Sequence, residues 1–323
     1  MISKQVLVLT LILLFFTGFT NSQAQNSSAS YKVVHGWPKL PEGFILGAAS
    51  AVAVDSHNHV WLFHRGKTRS IMAFEAETGK MVASFGDGMF IIAHGMAVDA
   101  EDNIWVTDGT SGTGASRHQV LKFSHDGKLL MTVGAEGVPG MDGTHFNQPT
   151  DIAIAANGDL FVSDGYVNRR VAKFNKDGQF LMDWGREGDG DGEFALPHGI
   201  ALDSRGRIYV ADRSNLRIQV FDGSNGAHLA TWAPELMARP WGMEVGADGY
   251  LYVMDGGHLN SDPPDQARII KMDLEGHVVT TFSSFGQQDG QIYWGHDVAT
   301  GPDGAVYAVD VRGQRLQKFV PIR

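Results

Sequence analysis

The sequence predicts an all-β fold, a six-bladed β-propeller with four antiparallel strands per blade and a ring closed by the N-terminal strand. Three observations lead there. First, one hairpin pattern recurs six times. Its clearest copy is Phe194 to Arg213, where Ile200 and Leu202 alternate up to the turn Asp203-Ser-Arg-Gly206 and the run Ile208-Tyr-Val-Ala211 follows. The copies close on His64, Asp108, Asp164, Asp212, Asp255 and Asp310, at intervals of 44, 56, 48, 43 and 55 residues, the period expected of propeller blades. Second, each hairpin is followed by a third strand, such as Val120-Leu-Lys-Phe123 or Ile218-Gln-Val-Phe221, and by a turn and a fourth, such as Phe180-Leu-Met-Asp-Trp184 or Val278-Val-Thr-Thr-Phe282. Third, the sixth copy stops near Phe319 without a fourth strand, while an unpaired strand, Tyr31-Lys-Val-Val34, precedes the first copy. Pairing the two ends removes edges that would otherwise template aggregation.

Taken in chain order, residues 1–24 read as a cleaved signal peptide: Lys4, an apolar run from Val6 to Phe19, and the small-x-small site Ser22-Gln-Ala24. The apolar run is too short for a membrane anchor. Residues 25–30 form a flexible leader, and residues 31–323 a single propeller domain. A secreted or periplasmic location is expected. The chain contains no cysteine, and a large propeller core needs no disulfide staples. The formal charge of −10 becomes −11 once Lys4, the only charge in the leader, is removed. That balance argues against nucleic acid and anionic membranes as partners, and a monomer is expected.

Three longer insertions, 134–147, 185–194 and 285–293, connect fourth strands to the next blade. The run Asp189-Gly-Asp-Gly-Glu193 has carboxylates but not the ligand spacing of a twelve-residue calcium loop. It reads better as a glycine-rich turn that buries Phe194.

Superposing the six copies brings out the chemistry. Fourteen residues before the closing position stand Ser50, His94, Thr150, His198, Trp241 and His296. The histidines fall on alternate blades, about 120° apart around the axis of a six-bladed ring, so they converge. Three imidazoles without a thiolate suit zinc, or another divalent transition metal, with a coordination position left open for catalysis. A histidine opening an inner strand can also serve only as a cap. The other ten histidines, among them His57, His59, His125 and His228, share no phase and are expected to be solvated.

Because the first two strands of a blade are antiparallel, the residues just after each second strand lie at the same face as the histidines. These are Arg65, Gly109, Gly165-Tyr166, Arg213, Gly256 and Val311. Two arginines and a phenol above three imidazoles suit a carboxylate substrate and a proton transfer. The alternative pairs Arg65 and Arg213 with blade aspartates such as Asp108 or Asp212.

The blocks His64-Arg-Gly66, His94-Gly-Met-Ala-Val-Asp99, Trp105-Val-Thr-Asp108, His145-Phe-Asn-Gln-Pro-Thr-Asp151, Phe161-Val-Ser-Asp-Gly-Tyr166, Pro197-His198, Ala211-Asp-Arg213 and Gly295-His-Asp297 resemble those of peptidyl-α-hydroxyglycine α-amidating lyases, which are NHL-type propellers. The resemblance implies zinc on His94, His198 and His296. It implies a structural calcium in the channel on the main-chain carbonyls of Val52 and Met96 and the carboxylate of Asp297, and it implies that Arg65, Tyr166 and Arg213 are catalytic. The implied reaction splits a peptidyl- or N-acyl-α-hydroxyglycine into an amide and glyoxylate, with Arg65 and Arg213 on the small carboxylate. Departures from the family are Asn147, Val167, Tyr209 and Val220 at positions of cysteines in the animal enzymes, and Trp294-Gly before His296 in place of Met-Pro. Two other functions are consistent with the propeller alone: an NHL module binding protein or ligand without catalysis, and a lactonase-type hydrolase, whose calcium sites favour acidic and amide ligands.

Overall fold

The computed structural model describes residues 31–109, 115–257 and 267–322; the signal-peptide and leader readings of residues 1–30 lie outside these. Among the described residues no helix is long and apolar enough to cross a membrane.

Six four-stranded antiparallel sheets form six blades. Blade 1 consists of Ala49–Val54, His59–His64, Ile71–Glu75 and Met81–Phe85. Blade 2 is Ala93–Val98, Ile104–Asp108, Gln119–Phe123 and Leu129–Val133, and blade 3 is Asp151–Ile154, Leu160–Asp164, Arg170–Phe174 and Phe180–Trp184. Blades 4 and 5 run from Pro197–Leu202 to His228–Trp232 and from Pro240–Val245 to Val278–Phe282. Blade 6 has Gly295–Thr300, Val306–Asp310 and Arg315–Pro321, and its outer strand is Tyr31–Val33, which pairs antiparallel with the C-terminal strand, Tyr31 opposite Pro321. The expected closure therefore holds. Each innermost strand packs on the next around the ring, and those of blades 1 and 6 meet.

Alternation explains the layers. The inner three strands carry near-continuous apolar runs, Val60-Trp-Leu-Phe63 and Leu251-Tyr-Val-Met254 for example, buried on both faces because every blade is sandwiched between two others. Outer strands such as His228–Trp232 alternate exposed and partly covered positions. Apolar clusters fill the blade interfaces; that between blades 6 and 1 joins Leu62, Met72 and Phe74 to Tyr307 and Val309.

The closing residue explains its own recurrence. Each of the five aspartates accepts hydrogen bonds from backbone N–H groups of the segment entering its blade: Ile91 and Ile92 on Asp108, Ala195 and Leu196 on Asp212, Tyr293 and Trp294 on Asp310. Each also pairs with an arginine of the same blade, Arg117, Arg170, Arg217, Arg268 or Arg315. In blade 1, His64 does the capping, its Nδ1 accepting from the N–H of Gly47 and Gly66. The insertion at 185–194 buries Phe194, as expected. Its carbonyls at Asp189, Gly190 and Glu193 accept from the Arg217 guanidinium. The third insertion contains a feature the sequence reading missed, a short parallel pairing of Ser284–Phe285 with Gln291–Ile292.

Candidate active site on the propeller axis

The in-phase residues open the innermost strands, and there the ladder is irregular. Pairing shifts register between Ala49 and Ala51, Ala93 and Met96, Pro197 and Ile200, Pro240 and Met243, and Gly295 and Asp297. A bulge re-aims side chains and breaks two-residue alternation. Consecutive residues His296 and Asp297 consequently both line one small axial cavity, with Ser50, His94, Thr150, Asp151 and His198. Gly242 belongs to the same bulged layer, and a Cβ there would fall 2.1 Å from Asp297 Oδ1.

The three histidines meet as the repeat phase requires. Their ring centroids form a nearly equilateral triangle of 4.9, 4.8 and 4.9 Å, and one ligand nitrogen of each lies within 4.8 Å of the others. All three are buried. Each Nδ1–H donates to a main-chain carbonyl of the intervening in-phase residue on the next blade: His94 to Thr150 (2.6 Å), His198 to Trp241 (3.2 Å) and His296 to Ser50 (2.6 Å). A carbonyl can only accept, so the proton sits on Nδ1 and Nε2 carries the lone pair. This is how metal-ligating imidazoles are oriented. Burial lowers the pKa of all three well below the usual histidine value, and the nearby Arg213 guanidinium pushes in the same direction, joined by Arg65 at His94 and His296, so the rings stay neutral and available as ligands. The donor set fits a zinc-class ion.

Tyr166 reaches over this triangle, its hydroxyl 3.0 Å from Nε2 of His94 and 3.4 Å from Nε2 of His198. The residue before it must be glycine, because a Cβ on Gly165 would lie 1.7 Å from the Pro197 carbonyl oxygen. Arg65 donates Nε–H to the Ala93 carbonyl at 3.0 Å, and Arg213 lies over the rings of Trp241 (4.1 Å) and Tyr166 (5.7 Å). The sequence alternative, pairing with blade aspartates, is not what forms: Asp108 and Asp212 take Arg117 and Arg217, and among the described residues neither Arg65 nor Arg213 forms an ion pair with a carboxylate. Desolvation lowers the pKa of both guanidiniums, and interaction with Tyr166 opposes it. Nε of Arg213, Arg239 and Arg169, and the indole Nε1 of Trp241, are buried donors without a protein acceptor. A mouth with cations and spare donors suits an anionic ligand.

Arg239 and Asp151 are site residues that the sequence pattern did not assign. Nothing in its own repeat marks Arg239. Asp151 was detectable: it follows Thr150 as Asp297 follows His296, in the same register and three blades away. Its carboxylate accepts from the N–H of Ile200, and that of Asp297 from the N–H groups of Val52 and Val298. Burial raises the pKa of both acids, and the negative charge of Asp151 raises that of Asp297 further. Val52, Met96, Asp151 and Asp297 line one stretch of channel below the histidines. Two facing buried carboxylates want a shared proton or a cation, and oxygen donors select calcium. Trp294 forms part of the mouth wall, edge-on to Trp241 at 5.8 Å and covered by Arg312 at 4.1 Å.

The expectation of ten solvated histidines is too broad. His64 and His118 are buried, and His59 and His125 converge on Asp55. Turns separated by 70 residues in sequence meet there because neighbouring blades stack.

Fold and site together define a six-bladed propeller with a three-imidazole centre on its axis under a cationic mouth. The NHL repeat family model matches residues 146–174 and 194–221. The chain is 31% identical to peptidyl-alpha-hydroxyglycine alpha-amidating lyase 1 of Drosophila melanogaster over 90% of its own length and 60% of that protein. It is 30% identical to peptidyl-glycine alpha-amidating monooxygenase B of Xenopus laevis, over 88% of its length and 35% of that protein. It is also 30% identical to human NHL repeat-containing protein 3, over 90% of its length and 84% of that protein. The chain thus spans about a third of the Xenopus monooxygenase and three fifths of the Drosophila lyase. A gluconolactonase of Xanthomonas campestris shares the fold at 15% identity and a TM-score of 0.62, with 86% of this chain and 87% of that one covered. This chain belongs to the NHL-repeat propeller family that includes the peptidyl-α-hydroxyglycine α-amidating lyases.

Proposed function

We propose that this protein is a metal-dependent carbon–nitrogen lyase, acting on a peptidyl- or N-acyl-α-hydroxyglycine to release an amide and glyoxylate. The observation that carries the reading is the placing of Tyr166 and two carboxylate-free arginines directly above three neutral, converging Nε2 atoms. His94, His198 and His296 would hold zinc, which when bound supplies Lewis acidity at the axis. Arg65 and Arg213 bind the substrate carboxylate, with Arg239 adding positive charge at the rim. Tyr166 is placed to take the proton of the carbinol hydroxyl on its phenolic oxygen as the C=O bond forms and the C–N bond breaks, while a proton passes from that oxygen to the departing amide nitrogen. The two guanidiniums face the carboxylate of the forming glyoxylate. Residues 1–24 would direct the chain out of the cytoplasm, and it would act as a monomer.

The test is glyoxylate release from α-hydroxyhippurate by the zinc-loaded protein. Arg213→Ala should raise KM for this acid by about 10–100-fold, the loss of a charge-assisted hydrogen bond of ~1.5–3 kcal/mol. The carboxylate-free amide of the same substrate should be affected far less. Equal effects on acid and amide would remove Arg213 from carboxylate binding. A second reading, a binding module without catalysis, draws on the match to NHL repeat-containing protein 3, whose name states no reaction; a zinc-loaded protein that releases no glyoxylate would favour it.

The channel site is proposed to hold calcium on Asp297 and Asp151 and the carbonyls of Val52 and Met96, as a fastener for the ring. An ion bound only by the folded state at a thousandfold excess over Kd stabilises by ~4 kcal/mol, on the order of 5–10 °C in Tm for a chain this long. Stripping calcium with EGTA should lower Tm by that amount, and Asp297→Asn should abolish the difference. A Tm indifferent to EGTA would leave the two acids sharing a proton instead.

A further inference from the structure

A second histidine cluster lies on the propeller face opposite the mouth, between blades 1 and 2. Asp55 begins the turn from Val54 to His59, and His125 sits in the turn between the third and fourth strands of blade 2. Asp55 Oδ2 lies 3.2 Å from Nδ1 of His59, 3.2 Å from Nε2 of His125 and 2.9 Å from the indole Nε1 of Trp61. Its other oxygen accepts from the backbone N–H of His57 and His59, which fixes the carboxylate.

The repeat supplies an internal control. Asp99 in blade 2 and Asp203 in blade 4 hold the same turn, each accepting from the N–H groups two and four residues on. Their second oxygens take an aromatic donor, Trp105 or Tyr209, just as Asp55 takes Trp61. Each then has a permanent cation: Lys122 on Asp99 at 2.9 Å and Arg207 on Asp203 at 2.7 Å. In blade 1 the lysine position opposite Trp61 is Ala73, and the residue equivalent to Arg207 is His59. Asp55, whose side chain is fully buried, is thus left with two imidazoles where its counterparts have a fixed charge. A buried carboxylate needs a cation.

We propose that Asp55, His59 and His125 bind a divalent transition metal of the zinc class, clamping the blade 1 turn to blade 2. The three ligand atoms lie within 4.8 Å of one another. The two carboxylate–imidazole separations of 3.2 Å match the ~3.3 Å between neighbouring ligands of a tetrahedral ion with bonds of ~2.0–2.1 Å. Two imidazoles and one carboxylate are a zinc ligand set. His57 stacks on His59 at 5.9 Å between ring centroids, with its Nδ1 3.1 Å from Asp102 Oδ2.

The site is independent of the axial histidines, and the test separates them. Metal-stripped wild type, His125→Ala, His198→Ala and the double variant are titrated with zinc and analysed for bound metal, with circular dichroism confirming the fold. His125 is a half-exposed turn residue, so its truncation leaves the propeller intact. His125→Ala should remove one zinc per chain in both backgrounds, weakening that site on the order of 100-fold or more, since even an outer-shell partner is worth ~10–100-fold. Zinc should raise the Tm of His198→Ala but not of the double variant, and glyoxylate release should be the same in His125→Ala as in wild type. Equal zinc content and affinity with and without His125, in either background, would overturn the proposal. Failure of the axial site to bind metal would leave this outcome readable.

Discussion

Tyr166→Phe should lower kcat by on the order of 10²–10⁴, the usual contribution of a positioned general acid–base group, with bound zinc unchanged and KM for α-hydroxyhippurate within a few-fold of wild type. The substitution removes one oxygen from a half-buried ring, whose edge contacts with His94 and His198, at centroid distances of 5.3 and 5.9 Å, are retained. The histidines keep their carbonyl partners on Thr150, Trp241 and Ser50, so metal affinity has no reason to fall. That pattern distinguishes proton transfer from scaffolding: a structural tyrosine would show its loss in Tm or metal content, and a substrate-binding one in KM. Near wild-type turnover would mean that another group moves the proton.

His198→Ala has the other large effect, on the metal itself. Zinc binding worth ~10–16 kcal/mol over four ligands assigns about 3–4 kcal/mol to each, so removing one imidazole should weaken zinc binding on the order of 10²–10³-fold and abolish glyoxylate release at stoichiometric zinc. The Trp241 carbonyl loses its donor and the Trp241 ring its contact with His198 at 4.8 Å; some loss of Tm is therefore expected as well. His198→Gln, which fills more of the space, is the control for packing: it should recover Tm without recovering zinc affinity. A fully metallated, active His198→Ala would show that the three histidines do not act as one site.

Much of this was legible because repetition converts sequence phase into spatial position. Once Asp108, Asp212 and Asp310 are recognised as equivalent, residues fourteen positions earlier must lie at one height around the axis, and the triangle of His94, His198 and His296 follows without knowledge of any side-chain contact. The same logic would have found Asp151 beside Asp297.

What a phase cannot convey is contact between turns of different blades and the choice of partner at a crowded mouth. That Arg65 and Arg213 lack carboxylates depends on Arg117 and Arg217 having claimed Asp108 and Asp212, a competition settled by reach within each blade. That His296 and Asp297 both face the channel depends on bulges, which violate the alternation from which strand faces are read. The meeting of Asp55 with His125 depends on how far blade 2 is rotated against blade 1. Period and hydrophobic pattern therefore determined the ring, its closure and the axial histidines, because each is a consequence of identical units packing identically. Only the tertiary structure decided the ligand tautomers, the unpaired arginines and the second cluster, because those arise where the six units differ.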